Sequence, residues 1–343
     1  MQDVPVTPAL FEGAISVEAG PGWHKPWRLP HERLHLFPSP DGGLRLRAEM
    51  ASGVRLRFAS STRNVLVTFL PLPPVMPACL RDVYRFDVTV NGQRVGTGEA
   101  RAGDEQVPIA GLPAGEKALE LWLPPDSPIA VRALRIDDGA TFRRVADPRP
   151  RWVTYGSSLT HCVRAHGSAR TWPALVAGRR GLNLTCLGYG GQCHLEPMIG
   201  LMIRDLPADL ITLKLGINCV GGTLGARTFP SAVIGLVRII REKHPVTPLA
   251  LVSPIAYPPN ETAPNVVGYT IGAMRRALEA VHRALVQDGD RNLRYVNGLE
   301  VFDAALIARY SVDQCHPNAD GIEVMAENFD RAVMAPLLAG RRG

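Results

Sequence analysis

Tyr155-Gly156-Ser157-Ser158-Leu159-Thr160-His161-Cys162 is the stretch that decides how this 343-residue chain is read. It follows Arg151-Trp152-Val153-Thr154, a short run able to enter a sheet, and precedes Ala169 through Ala177, which can continue as a helix. A turn of small residues between strand and helix lifts Ser158 to the carboxyl edge of a parallel sheet, where open α/β folds collect ligands. An isolated Gly-Ser-Ser is an ordinary loop far more often than a site, because short motifs match by chance. The stretches around it change that reading.

Downstream, strands alternate with helices. Strands are expected at Trp152–Tyr155, Asn183–Leu187, Leu210–Leu215, Leu249–Val252 and Leu293–Val296. Helices are expected from about Arg170 to Arg180, Pro230 to Lys243, Tyr269 to Gln287 and Asn318 to Leu338. Short, nearly all-apolar strands are what a parallel sheet covered on both faces requires, so this part reads as a three-layer α/β/α domain.

Upstream, from about Leu34 to Arg143, the period is two. Leu44–Ala48 and Val54–Phe58 alternate apolar with charged residues, as half-buried antiparallel strands do, and Val65–Phe69 reads as a more buried strand. Arg85–Val90 meets Asn91-Gly92, a tight-hairpin dipeptide, before Gln93-Arg94-Val95 returns. Further strands fit Ala118–Leu123 and Ala130–Ile136. About seven or eight such strands make an antiparallel β-sandwich or jelly-roll. Trp23, Trp27 and Trp122 could form a sugar-stacking platform, but packing is the commoner use of large aromatics.

Asp147-Pro148-Arg149-Pro150 separates the two grammars, since its prolines stop strand and helix alike. The expected organisation is a β-sandwich at 1–146 serving substrate or acceptor recognition, a linker at 147–150 and an α/β domain at 151–343.

With 20% charged and 46% apolar residues the composition is that of a globular protein. The net charge of +6 is carried largely by arginine, with lysine only at 25, 117, 214 and 243, and no basic run alternates with aromatics. Nucleic acid is therefore not an expected partner. The start, Met1 through Pro8, lacks the pattern of a secretory leader, and no segment has the apolar length of a membrane span. A soluble cytoplasmic protein without a membrane partner is expected. Cys79, Cys162, Cys186, Cys193, Cys219 and Cys315 form no Cys-x-x-Cys pair, so neither a metal site nor a disulfide scaffold is expected, and the thiols should be free.

Three stretches complete the first. Gly188-Tyr189-Gly190-Gly191-Gln192 is a glycine-rich turn after a strand, Gly216-Ile217-Asn218 presents an amide after another, and Asp313-Gln314-Cys315-His316 sets a carboxylate and an imidazole three residues apart. These are the parts of acyl transfer. A serine hydroxyl needs a base, the base needs a carboxylate to fix its tautomer, and the oxyanion needs donors. Ser158 is the candidate nucleophile, His316 the base and Asp313 its orienter, with Ser158 N–H, Gly191 N–H and the Asn218 amide as oxyanion donors. His161, His194 and Cys219 adjoin these blocks as candidate pocket residues.

The ordered set resembles the GDSL or SGNH hydrolase superfamily. The resemblance covers about Arg151 to Leu338 and implies an SGNH-type α/β/α fold, a serine nucleophile and no cofactor. Ser157 stands where an aspartate is usual, and Cys219 where an aspartate often follows the asparagine. An α/β-hydrolase elbow does not fit, since it would need a glycine where Thr160 stands. The resemblance extends more weakly to members with an N-terminal β-sandwich, among them carbohydrate acetyl esterases and enzymes that acylate sugar-bearing polyketides. The expected partners are a small-molecule acyl ester and an alcohol acceptor, with water as acceptor in an esterase. The rival reading is a ligand-binding protein that keeps the SGNH shell without catalysis.

Overall fold

A computed structural model describes residues 1–72 and 83–339; Cys79 and the thiol state expected of it lie outside that range. The chain forms two compact units, Met1–Arg149 with Ala165–Cys186, and Pro150–Arg164 with Leu187–Gly343.

The first unit is built on β1 (Gln2–Val4), β2 (Phe11–Glu12), β3 (Ser16–Gly20), β4 (Trp23–Trp27), β5 (Arg55–Ser60), β6 (Val65–Pro71), β7 (Val83–Val90), β8 (Gln93–Arg101), β9 (Gln106–Ile109), β10 (Lys117–Trp122), β11 (Ile129–Ile136) and β12 (Phe142–Arg144). They form two six-stranded sheets, one in the order β3-β4-β11-β6-β9 with β1 on β11, the other β12-β5-β10-β7-β8 with β2 on β5. Strands outnumber the sequence expectation: β1, β2 and β12 have only two or three residues, too few for alternation to show, and β3, β4 and β9 lie outside the expected runs. The β7–β8 hairpin turns at Asn91 (φ 50°) and Gly92 (φ 76°), the two positive-φ centres that a tight primed turn demands.

Inward residues of both sheets meet in one apolar core. Val65, Val67 and Phe69 of β6 join Phe86 and Val88 of β7 and Leu119 and Leu121 of β10, all buried, with the Phe69 and Phe86 rings 5.3 Å apart. Each such side chain contributes about 1.5–3 kcal/mol by leaving water. Trp27 and Trp122 are also buried, and Trp122 donates its ring N–H to Thr89. Asp147 and Arg149 are held in place, Arg149 bonding to both Glu120 and Asp147 while Arg55 bonds to Glu120 at 2.9 Å.

One expected strand is a helix. Leu44–Ala48 lies in α1 (Gly43–Glu49). The side chains of Asp41 and Ser39 accept the N–H groups of Gly43 (2.9 Å) and Leu44 (3.2 Å), and Arg45 bonds to Glu49 one turn on at 3.0 Å. Caps and an i,i+4 ion pair outweigh the two-residue alternation here.

The second sheet type is parallel. It has the order β14-β13-β15-β16-β17, where β13 is Arg151–Gly156, β14 Asn183–Gly188, β15 Leu210–Lys214, β16 Leu249–Val252 and β17 Leu293–Val296. β13 pairs with β15, β15 with β16 and β16 with β17, all parallel. The helices after α1 are α2 (Ser158–His161), α3 (Trp172–Arg180), α4 (Pro197–Asp205), α5 (Thr228–Arg241), α6 (Ile271–Gln287), α7 (Ala304–Tyr310), α8 (Ala319–Phe329) and α9 (Ala335–Ala339). Trp152 and Tyr155, three apart on β13, face opposite sides of the sheet. Trp152 packs against Phe329 of α8, and the Tyr155 hydroxyl bonds at 3.2 Å to Glu196, the residue before α4. Helices thus cover both faces, giving the expected three layers.

Helix α5 follows the amphipathic rule, burying Phe229, Val233, Leu236, Val237 and Ile240 along one stripe. The last expected helix is interrupted by a π-helical turn at Asp330–Met334. Pro336, lying just beyond, supplies no N–H and crowds the carbonyl of the preceding turn, which the wider turn accommodates.

Candidate active site

Strand β13 ends at Gly156, and the chain turns at once into α2. Ser157 caps this helix, its buried hydroxyl accepting the Leu159 N–H at 3.3 Å. A side-chain oxygen is what an N-cap needs, so serine performs locally what the usual aspartate would. Ser158 becomes the first helical residue, and Cys162, at φ 60°, closes the turn with its N–H on the Ser158 carbonyl at 2.9 Å. Glycine is required beneath: a Cβ on Gly188 would lie 2.3 Å from the His161 backbone nitrogen.

The Ser158 hydroxyl lies 2.8 Å from His316 Nε2, and His316 Nδ1 lies 2.9 Å from Asp313 Oδ2. The other Asp313 oxygen accepts the N–H groups of His316 (2.7 Å) and Cys315 (3.1 Å) and the Ser311 hydroxyl (3.0 Å). Partial burial raises the Asp313 pKa, but these donors outweigh it and hold the carboxyl well below the usual carboxylate range. Gln314 makes the turn at φ 57°, a left-handed conformation uncommon for a residue with a side chain. Such a line can pass a proton from hydroxyl to imidazole while the carboxylate stays ionised.

The candidate oxyanion residues Gly191 and Asn218 lie in the segments after β14 and β15. The Gly190 N–H is directed to His161 Nδ1 at 3.4 Å and the Gln192 N–H to the Tyr189 carbonyl at 3.0 Å; Gly191, between them at φ 75°, enters neither bond. Asn218 follows Gly216, whose φ of 110° favours glycine and where a Cβ would meet Pro254 at 2.8 Å. Its Oδ1 accepts the Cys193 N–H at 3.0 Å, which fixes the amide and leaves its NH2 group as the free donor end.

The three candidate pocket residues are placed differently. His161 is fully buried, its ring supporting the Gly190 N–H. Cys219 is also fully buried, and burial pushes its thiol up to about 12. His194 is half-buried, with ring nitrogens 3.0 Å from both Thr223 Oγ1 and the Gly191 carbonyl. Cys162, Cys186, Cys193, Cys219 and Cys315 are free thiols, as expected of them.

Two residues escaped the sequence reading. Arg164 donates to Asp313 Oδ2 at 3.0 Å and to the His316 carbonyl at 3.3 Å. Lys214, at the end of β15, is buried with no hydrogen-bond partner for its amine among the described residues, and burial pushes its pKa down to about 8. Neither lies in a spaced motif, so only the path of the chain reveals them.

Residues 150–334, more than half of the chain, match the GDSL-like lipase/acylhydrolase family. The chain belongs to this family. As a GDSL protein it is an enzyme, which excludes the purely ligand-binding alternative. Residues 9–132 of this GDSL enzyme match the SsfX3 N-terminal domain family. Among solved structures, the enzyme is similar to the salicylyl-acyltransferase SsfX3 from a tetracycline biosynthetic pathway, with 34% identity, a TM-score of 0.88, and 98% of this chain and 97% of that chain covered. It shares its fold with a family two carbohydrate esterase from Clostridium thermocellum, at 14% identity and TM-score 0.63, covering 84% of this chain and 94% of that one. A second such esterase, from Cellvibrio japonicus, has 14% identity and TM-score 0.58, covering 84% and 90%. A search of curated proteins returned no match. No helix among the described residues is long and apolar enough to cross a membrane.

Proposed function

We propose that this GDSL enzyme moves an acyl group through an ester on Ser158, from a small-molecule acyl donor to a small-molecule hydroxyl. The observation that carries this reading is the unbroken Ser158–His316–Asp313 line at 2.8 and 2.9 Å. Ser158 Oγ attacks the donor carbonyl as His316 Nε2 takes its proton, and Asp313 stabilises the imidazolium. The Ser158 and Gly191 N–H groups and the Asn218 amide receive the oxyanion, each donor worth about 3 kcal/mol in the transition state. Collapse of the tetrahedral intermediate expels the donor's alcohol or thiol, protonated by His316. The acceptor hydroxyl then loses its proton to His316 and attacks the Ser158 ester, regenerating the serine.

Water in place of the acceptor makes the same enzyme an esterase. Similarity to the salicylyl-acyltransferase, at 34% identity over nearly the full length, favours transfer over hydrolysis and a natural-product hydroxyl as acceptor. We assign acceptor or substrate recognition to the sandwich domain at 1–146, joined through 147–150 to a catalytic domain at 151–343, and place the enzyme in the cytoplasm. No cofactor enters any step.

A fluorophosphonate probe should label wild type and not Ser158→Ala. Incubation with an activated acyl ester, with and without hydroxyl acceptors, then separates the two fates of the acyl group. Equal labelling of both proteins sinks the acyl-serine step; free acid alone, with no acylated acceptor, would assign the enzyme to hydrolysis.

A further inference from the structure

We propose that Arg164 is a positioning residue that clamps the Asp313–His316 turn to the loop carrying Ser158. The inference rests on the acyl-serine reading above and deepens it.

Ser158 and His316 are 158 residues apart in the chain, so no local geometry sets the 2.8 Å between them. Arg164 follows His161, the end of α2, by three residues. From there its guanidinium reaches the opposite loop with two nitrogens, one on Asp313 Oδ2 at 3.0 Å and one on the His316 carbonyl at 3.3 Å. A planar fork suits this pair of acceptors, and an ammonium cannot span them with fixed geometry. The clamp grips both ends of the turn in which Gln314 is held at φ 57°. It also gives Asp313 a fifth donor, since Oδ2 already accepts His316 Nδ1.

The fork has an electrostatic side. The charged and titratable groups around the turn are Arg164, Asp313, Lys214 from β15, Tyr257 from the segment after β16, and Cys315 within the turn. Arg164 shares Oδ2 with the imidazole.

The test compares Arg164→Met and Arg164→Lys with wild type. For Arg164→Met we expect kcat to fall about ten- to hundredfold with KM within threefold. Arg164→Lys keeps the charge and loses the fork, so its kcat falls as well, with KM within threefold. Met and Lys variants that both turn over within threefold of wild type would reduce Arg164 to a structural residue and overturn the proposal. Hydrogen exchange at the Cys315 and His316 amides, expected to quicken about tenfold in Arg164→Met, reads the clamp without any turnover. Unchanged exchange rejects the clamp even if Ser158 is labelled; a wild type that fluorophosphonate does not label rejects the acyl-serine reading even if exchange quickens.

Discussion

Replacing Asp313 by asparagine changes one atom and should disable the site without unfolding it. In wild type Oδ1 faces donors from the His316 and Cys315 backbone and from Ser311, while Oδ2 faces the His316 ring and Arg164. An asparagine that keeps its oxygen on the backbone side sets its NH2 against His316 Nδ1 and Arg164. The ring can relieve that clash only by placing its proton on Nε2, and Nε2 then cannot accept the Ser158 proton. The flipped amide instead opposes the backbone N–H groups that hold the turn. Turnover should therefore fall by about 10³- to 10⁴-fold, with KM little changed.

The same substitution has a stability signature. Because the folded state holds the Asp313 carboxyl below its ordinary range, its contribution is fully present above the unfolded pKa and is lost as pH falls through the folded value. The cost of Asp313→Asn should be about 1 kcal/mol at neutral pH, reduced from a buried value by solvent exposure, and should shrink under acid conditions. Circular dichroism, denaturant midpoints at several pH values and steady-state kinetics measure these quantities. A folded Asp313→Asn enzyme working within tenfold of wild type would refute the reasoning, since another group would then be orienting His316.

Removing the Asn218 amide in Asn218→Ala should lower kcat by about 10²- to 10³-fold with KM nearly unchanged, and a loss under tenfold in steady-state assays counts against its oxyanion role. A protonated Lys214 held at about 8 instead of its ordinary 10.5 costs about 3 kcal/mol. Stability should accordingly climb as pH rises from about 8 towards 10.5, and Lys214→Met should be stabler at pH 7 by an amount that fades over that window in urea titrations. Gly216→Ala meets both a φ of 110° and the Pro254 ring, so thermal melts should show a loss of about 1–3 kcal/mol. Cys219, buried with its thiol near 12, should resist iodoacetamide in the native enzyme at neutral pH; rapid alkylation read by mass spectrometry would contradict its burial.

Sequence alone determined the parts that local physics governs. The run of apolar strands from Trp152 to Val296, the Asn91-Gly92 turn and the blocks holding Ser158, Asn218 and His316 are each written in a few neighbouring residues. Asp313 was legible for the same reason, since three residues separate it from His316. Leu44–Ala48 was misread because its alternation hid caps at Ser39 and Asp41, a signal present in the sequence but outweighed there. Only the tertiary structure decided that the Gly190 N–H is directed to His161, 29 residues earlier. It alone decided that Ser157 caps α2, that Lys214 is buried with no hydrogen-bond partner for its amine among the described residues and that Arg164 reaches Asp313 across 149 residues. Periodicity and motif spacing record what a residue does to its neighbours in the chain. Which distant loop a side chain grips depends on how strands and helices fold back on one another, and no spacing within either loop encodes it.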